Sequence, residues 1–207
     1  MNLGQLRSEV RLRANVPATD LIWTDAFVNS AINAALSDLS LEQPWWWLQS
    51  TATPTPTDGA VTLSGLSPVP RDISHVFVGD TEAKKVSVAE TDGAATLGPT
   101  DARYTWSVWG STLQIRPEPA ADETVTVRYY RDEAILSGDS SEPLMPAVYH
   151  PVIVERACAI GFESLDDTSS AAMHEARSRS LLSHMIATAL RRIRGRHSVR
   201  VRAGHPY

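Results

Sequence analysis

The apolar residues of this chain change period twice, and that change limits the fold more than any other feature. From Leu3 to Leu39, and again from Pro146 to Ile193, they recur every three or four positions; between about Gln49 and Arg131 they alternate. The order is therefore helix–helix, then strands, then helix–helix. Two terminal helix pairs separated by a β region bury their stripes only on each other. The expected class is α+β: a small helical bundle from the N- and C-terminal helix pairs, an inserted antiparallel β region, and an extended C-terminal arm. The expected boundaries are 1–48 for the first helix pair, 49–131 for the β region, 132–195 for the second pair packing on the first, and 196–207 for the basic arm.

Punctuation residues support that layout. Leu3, Leu6 and Val10, with Leu12 as a further candidate, form a stripe that ends near Pro17, and Thr24 reads as the N-cap of a second helix with Asp25 in its first turn. Short strands are expected at 60–63, 73–78, 104–109, 113–116 and 124–130, divided by Gly/Pro/Asp turns. Residues 80–103 read as a long loop with one strand around 85–88. Pro146 suits the first turn of a third helix running to about Leu165, with Val148, Val152, Ala157, Ile160 and Phe162 on its buried side. Pro151 sits early enough to delay its start. Asp166-Asp167-Thr168 then stops one helix and caps the next, whose stripe reads Ala172, Met173, Ala176, Leu182, Ile186, Ala189/Leu190 and Ile193.

Trp45-Trp46-Trp47 holds half of the six tryptophans, and three consecutive indoles cannot share one face of an element. Core and inter-domain packing is the preferred reading; a contact between protomers and a base- or sugar-stacking platform are the alternatives.

Charge divides the chain. Residues 1–190 carry 13 basic and 24 acidic side chains, a net of −11, whereas Arg191–Tyr207 holds six arginines and no carboxylate side chain. The formal net charge of −5 averages an acidic body and a cationic arm.

Chemistry is hard to locate. One cysteine, Cys158, excludes a disulfide framework and clustered-thiol metal sites, and its neighbours read as a helix interior. No signal peptide or span of ~18–20 apolar residues is seen, so a soluble protein assembled in a reducing compartment is expected. There is no P-loop, nucleophile elbow, dinucleotide fingerprint or zinc-protease motif. His75, His150, His174, His184, His197 and His205 are scattered, none at chelating spacing, and each reads as a surface or capping residue. Cys158 and His150 are two helical turns apart, about 12 Å, too far for proton transfer. No catalytic residue, metal or cofactor is assigned.

The arm is the clear functional feature. A solvated cationic end and a nucleic-acid-binding arm are both open readings. The alternation in Ser198-Val199-Arg200-Val201-Arg202, with no lysine in the arm, favours an arm laid as a strand onto another protein, valines to one side and arginines to the other.

Read in order, several stretches resemble the head-to-tail connector (adaptor) proteins of tailed bacteriophages. They are Trp23-Thr24-Asp25, Ile32-Asn33-Ala34-Ala35, the Trp45–Trp47 segment, Pro70-Arg71-Asp72-Ile73, Pro117-Glu118-Pro119 before Tyr129-Tyr130-Arg131, and Leu144-Met145-Pro146 leading to Tyr149-His150. The resemblance implies a structural protein of the virion, not an enzyme, assembled in the host cytoplasm and placed at the head–tail interface. It implies a homo-oligomeric, usually dodecameric, ring beneath the portal that extends the DNA channel and carries the tail or a stopper or completion protein. It also implies that the C-terminal segment docks on the portal, here through Arg191, Arg192, Arg194, Arg196, Val199, Arg200, Val201, Arg202 and Tyr207. A DNA-binding protein using the same arm is the alternative function.

Overall fold

The computed structural model of the chain describes residues 1–93 and 104–194, with 92–93 and 190–194 described by their backbone alone. It is an α+β protein, with five helices and a seven-stranded sheet among the described residues. The chain divides into two compact units: Met1–Leu39 with Ile135–Tyr207, and Ser40–Ala134.

The first unit contains α1 (Leu3–Ala14), most of α2 (Asp25–Leu41), α4 (His150–Glu163) and α5 (Thr168–Arg194). Three of the four starts are fixed by a local hydrogen bond, and that of α4 by a proline. Asn2 Oδ1 accepts from Gln5 N at 3.0 Å while Gln5 Oε1 accepts from Asn2 N at 3.0 Å, a reciprocal cap for α1. Thr24 Oγ1 accepts from Phe27 N at 3.2 Å. Pro151 lies in the first turn of α4, and the preceding 147–149 segment is a 3-10 turn, so the helix proper starts at His150. Asp167 caps α5, its Oδ1 accepting from Ser170 N at 3.1 Å and its Oδ2 from Ser170 Oγ at 2.7 Å. Leu3, Leu6 and Val10 of α1, Val28, Ile32 and Leu36 of α2, and Val152–Val154 with Ala157–Ala159 of α4 form the buried interior. The terminal helix pairs meet here.

Three helix faces differ from the expected stripes, the first at Leu12 of α1, which is exposed because it falls two residues after Val10 and out of the helical phase of Leu3, Leu6 and Val10. Val148 is exposed, because the 3-10 turn precedes the helical phase assumed for it. On α5 the buried side chains are His174, Ser178 and Met185, whereas Ala172, Met173 and Ala176 are exposed. The face is chosen by a polar partner, described below, which outweighs two alanines and a methionine of little apolar area.

The second unit is a curled sheet: β1 (Gln49–Ala52), β2 (Ala60–Thr62), β3 (Pro70–Val78), β4 (Thr81–Lys85), β5 (Thr105–Trp109), β6 (Thr112–Arg116) and β7 (Val125–Arg131), in the order β1-β7-β3-β4-β5-β6-β2. Six strands feed one core of Val61, Ile73, Val76, Val78, Ala83, Trp106, Leu113, Ile115, Val125, Val127 and Tyr129. A single layer shares a core among so many strands only by bending round it.

The sheet is mixed, which corrects the antiparallel expectation. Every pair is antiparallel except β4·β5, where Lys84 lies opposite Thr105 and Lys85 opposite Trp106 in parallel. The connection from Val86 to Tyr104 is long enough for the crossover that parallel strands require. The strand expected at 85–88 lies earlier, at 81–85, because Gly79-Asp80 turns the chain tightly and pairs Val78 with Thr81. Ser87 then starts a short helix, α3 (Val88–Gly93). Its Oγ accepts from Glu90 N at 3.3 Å while Glu90 Oε2 accepts from Ser87 N at 2.9 Å. Ser87-Val88-Ala89-Glu90 is a capping-box sequence that the alternation-based reading passes over.

Candidate functional site

The residues expected to dock on a partner fall at the end of the chain. Arg191, Arg192 and Arg194 occupy the last turn of α5, and their side chains are not among those described. Arg196, Val199, Arg200, Val201, Arg202 and Tyr207 lie outside the described residues. α5 itself runs 27 residues, about 40 Å. Met185 is the last fully buried side chain described on it. The nine residues that follow carry its backbone about 13 Å further to Arg194.

The most concentrated polar chemistry is buried. Glu155 sits among apolar neighbours on α4 and receives two partners: Arg13 Nη1 from α1 at 2.5 Å, and His174 Nδ1 from α5 at 2.7 Å. The imidazole of His174 stacks on Phe162, with centroids 5.5 Å apart and planes 12° apart. Glu155 and His174 are both buried, which corrects the surface reading of His174. A carboxylate in that interior is tolerable only when paired, and its two cationic or donor partners come from the helices on either side of α4. The arrangement orients an imidazole, but among the described residues no Ser, Thr or Cys side chain is hydrogen-bonded to it. Cys158, one turn along α4, directs its thiol to Val10 O at 3.6 Å. Burial, followed by the Glu155 charge, pushes that thiol up to about 12, so thiolate chemistry is suppressed.

His150 is buried as well. Its Nε2 lies 2.9 Å from Met145 O and its Nδ1 lies 2.7 Å from the Met1 amine. The neutral Nε2–H tautomer satisfies both contacts, and burial lowers the imidazole pKa. Among the described residues no three His, Cys, Asp or Glu side chains converge to hold a metal ion. Among them, too, no helix is long and apolar enough to cross a membrane.

The motif residues prove to be joints of the fold. Trp23 packs edge-on to Phe27 and Phe162 and fills the space over Gly161. Asp25 accepts from Arg7 Nη1 at 2.9 Å and Arg11 Nη2 at 2.7 Å. Asn33 bonds Leu136 through both ends of its amide. Arg71 Nη1 donates to Ser40 O at 2.8 Å, and Tyr129 OH donates to Pro68 O at 2.8 Å. Trp45 and Trp47 stack at 4.7 Å and are buried, while Trp46 is 42% exposed. Sequence reasoning missed the Glu155–His174 pair because its members stand on different helices at no fixed spacing. The available signal was Glu155 itself, a carboxylate inside Val152-Ile153-Val154-Glu155-Arg156-Ala157-Cys158.

The chain matches the family model described as SU10 adaptor protein over residues 1–203. A search of curated protein sequences gives no match. The match spans both units and reaches into the arm, and with it the joints made by Trp23, Asp25, Asn33 and Arg71 take their place as the framework of a structural protein: the chain belongs to the SU10 adaptor family of phage head–tail adaptors.

Proposed function

We propose that this adaptor forms a homo-oligomeric ring beneath the phage portal, extends the DNA channel, and links the capsid vertex to the tail or to a stopper. The observation that carries this reading is the family match over residues 1–203, which includes most of the cationic arm. The −11 body presents like charge to passing DNA and so keeps it from adhering, while residues 191–207 supply six guanidinium groups for attachment, three of them in the 196–207 arm. Arg191, Arg192, Arg194, Arg196, Arg200 and Arg202 pair with carboxylates of the portal, and Val199 and Val201 lie against its apolar surface.

Electron microscopy of the purified protein mixed with its portal tests this. A ring stacked on the portal is expected, and removal of residues 196–207 abolishes attachment while circular dichroism stays unchanged. Retained attachment without the arm overturns the docking role. If the arm instead served DNA, binding to duplex would fall with salt at a log–log slope of about −5 for six phosphate contacts.

A further inference from the structure

The helical unit holds an apolar tip that its own fold does not cover. In the loop between α1 and α2, Leu21 is 91% exposed and Ile22 60% exposed. The loop is not loose. Asp20 Oδ1 accepts from Ile22 N and Trp23 N, each at 2.8 Å. Arg11 Nε and Nη2 donate to Trp23 O at 3.2 and 2.8 Å, and the Trp23 ring is wedged against Phe27, Phe162 and Gly161. Two large aliphatic side chains are thus held out on a fixed base, with the Asp20 carboxylate beside them.

The β unit carries a surface of matching chemistry. Register places it at the end of the sheet where Pro70 pairs with Arg131 and Gln49 with Tyr130. Val69, next to Pro70, and Leu41, next to the Ser40 carbonyl that Arg71 holds, are 55% and 67% exposed; Trp46 precedes β1 at the same end. Arg131 is half-buried there, its Nε is buried without a hydrogen-bond partner, and no carboxylate among the described residues pairs with it, the adjacent Asp132 being bonded to Arg71. Aromatic and aliphatic side chains thus share one end of the sheet with an arginine that lacks a counter-ion, a combination suited to an apolar segment bearing a carboxylate.

We infer that the Leu21–Ile22 tip of one copy docks on the Leu41/Trp46/Val69/Arg131 surface of the next copy, with Asp20 supplying the negative charge that faces Arg131. The occupant is a second copy because one chain carries both halves, apolar with carboxylate on one and apolar with guanidinium on the other. The two halves share no residue, so each copy can use its tip on one neighbour and its surface on the other, a head-to-tail contact; a reciprocal two-fold dimer is the competing arrangement, and it stops at covalent dimers in the double-cysteine variant below. Such a contact closes into a ring when the rotation permits. This inference rests on the ring reading and names its subunit contact.

Disulfide trapping tests it. Leu21→Cys and Val69→Cys are made separately in the full chain, and Ile22→Cys with Leu41→Cys serves as a second pair. All four sites are exposed, so folding is retained, and native Cys158 stays silent because its thiol is buried. On mild oxidation of an equal mixture, the L21C–V69C or I22C–L41C heterodimer is expected to exceed the homodimers by roughly tenfold, since docking raises the effective thiol concentration. Arg131→Glu in the acceptor is expected to remove most of that excess. The double variant L21C/V69C is expected to give a ladder of covalent multimers. Statistical proportions of heterodimer and homodimer in both pairs overturn the contact. If wild-type rings still form on the portal in that case, only this contact fails; if no ring forms on the portal, the ring reading fails separately.

Discussion

The Asn33 side-chain amide bonds both backbone groups of Leu136: its Nδ2 donates to Leu136 O at 3.1 Å, and its Oδ1 accepts from Leu136 N at 2.8 Å. Leu136 lies where the chain re-enters the helical unit after the β insertion. One amide thereby fixes the returning chain against α2, much as a strand neighbour would. Only a side chain that donates and accepts at once fits this role.

Asn33→Ala is therefore expected to cost about 1–3 kcal/mol, because two backbone groups lose their partner. Asn33→Asp is not expected to rescue it, since an oxygen then faces the Leu136 carbonyl. Urea denaturation midpoints of the three proteins check this; a neutral alanine variant sinks the idea.

Glu155→Ala is expected to be the most damaging single change in the helical unit, at roughly 3–5 kcal/mol, because it strands a buried His174 and removes one of the two carboxylates that Arg13 bonds, leaving it Glu9. Arg13 is half exposed, so Arg13→Ala is expected to cost less. Equal losses for the two variants, measured by thermal unfolding, contradict this assignment of the central role to Glu155.

At Gly161 two opposing effects have comparable size. Alanine gains about 1 kcal/mol of helix propensity, but its Cβ meets Trp23 Cη2 at 2.6 Å. The Trp23 ring is pinned on two sides by Phe27 and Phe162, so overpacking at about 1–3 kcal/mol prevails. In a Trp23→Phe background the same substitution is expected to become harmless, and a double-mutant cycle measures that coupling.

Asp167 governs part of the acid limb. Hydrogen bonds from Ser170, first its hydroxyl and then its N–H, hold this carboxyl below its ordinary value of 3.8. A depressed folded pKa contributes stability that is full above the unfolded value and is lost as pH falls through the folded one. Asp167→Asn still caps α5 but does not titrate. It is expected to lose less stability than wild type between neutral pH and pH below 3.8. Parallel acid profiles for the two proteins contradict this.

With its thiol raised to about 12, Cys158 is expected to resist thiol reagents in the folded protein and to react at the unfolding rate. At pH 7 only about one thiol in 10⁵ is ionised even before access is considered. Stoichiometric labelling within seconds under native conditions rules this out.

The element types and most of their ends follow from local rules. Thr24 and Asp167 are caps because their side chains bond the backbone two or three residues on, and the stripe of α1 follows from spacing alone. The ordered signals Trp23-Thr24-Asp25 and Pro70-Arg71-Asp72-Ile73 likewise identify the family without coordinates. Other features depend on residues far apart in the chain. The parallel β4·β5 pair depends on a crossover whose path no local pattern specifies. The buried face of α5 depends on Glu155, contributed by another helix, and so inverts the fate of His174 and Met173. The exposed tip at Leu21–Ile22 and the uncompensated Arg131 look in sequence like ordinary loop and strand residues. Tertiary structure alone decides them, because burial and pairing are set by what arrives from elsewhere in the chain, and hydrophobic spacing carries no record of that.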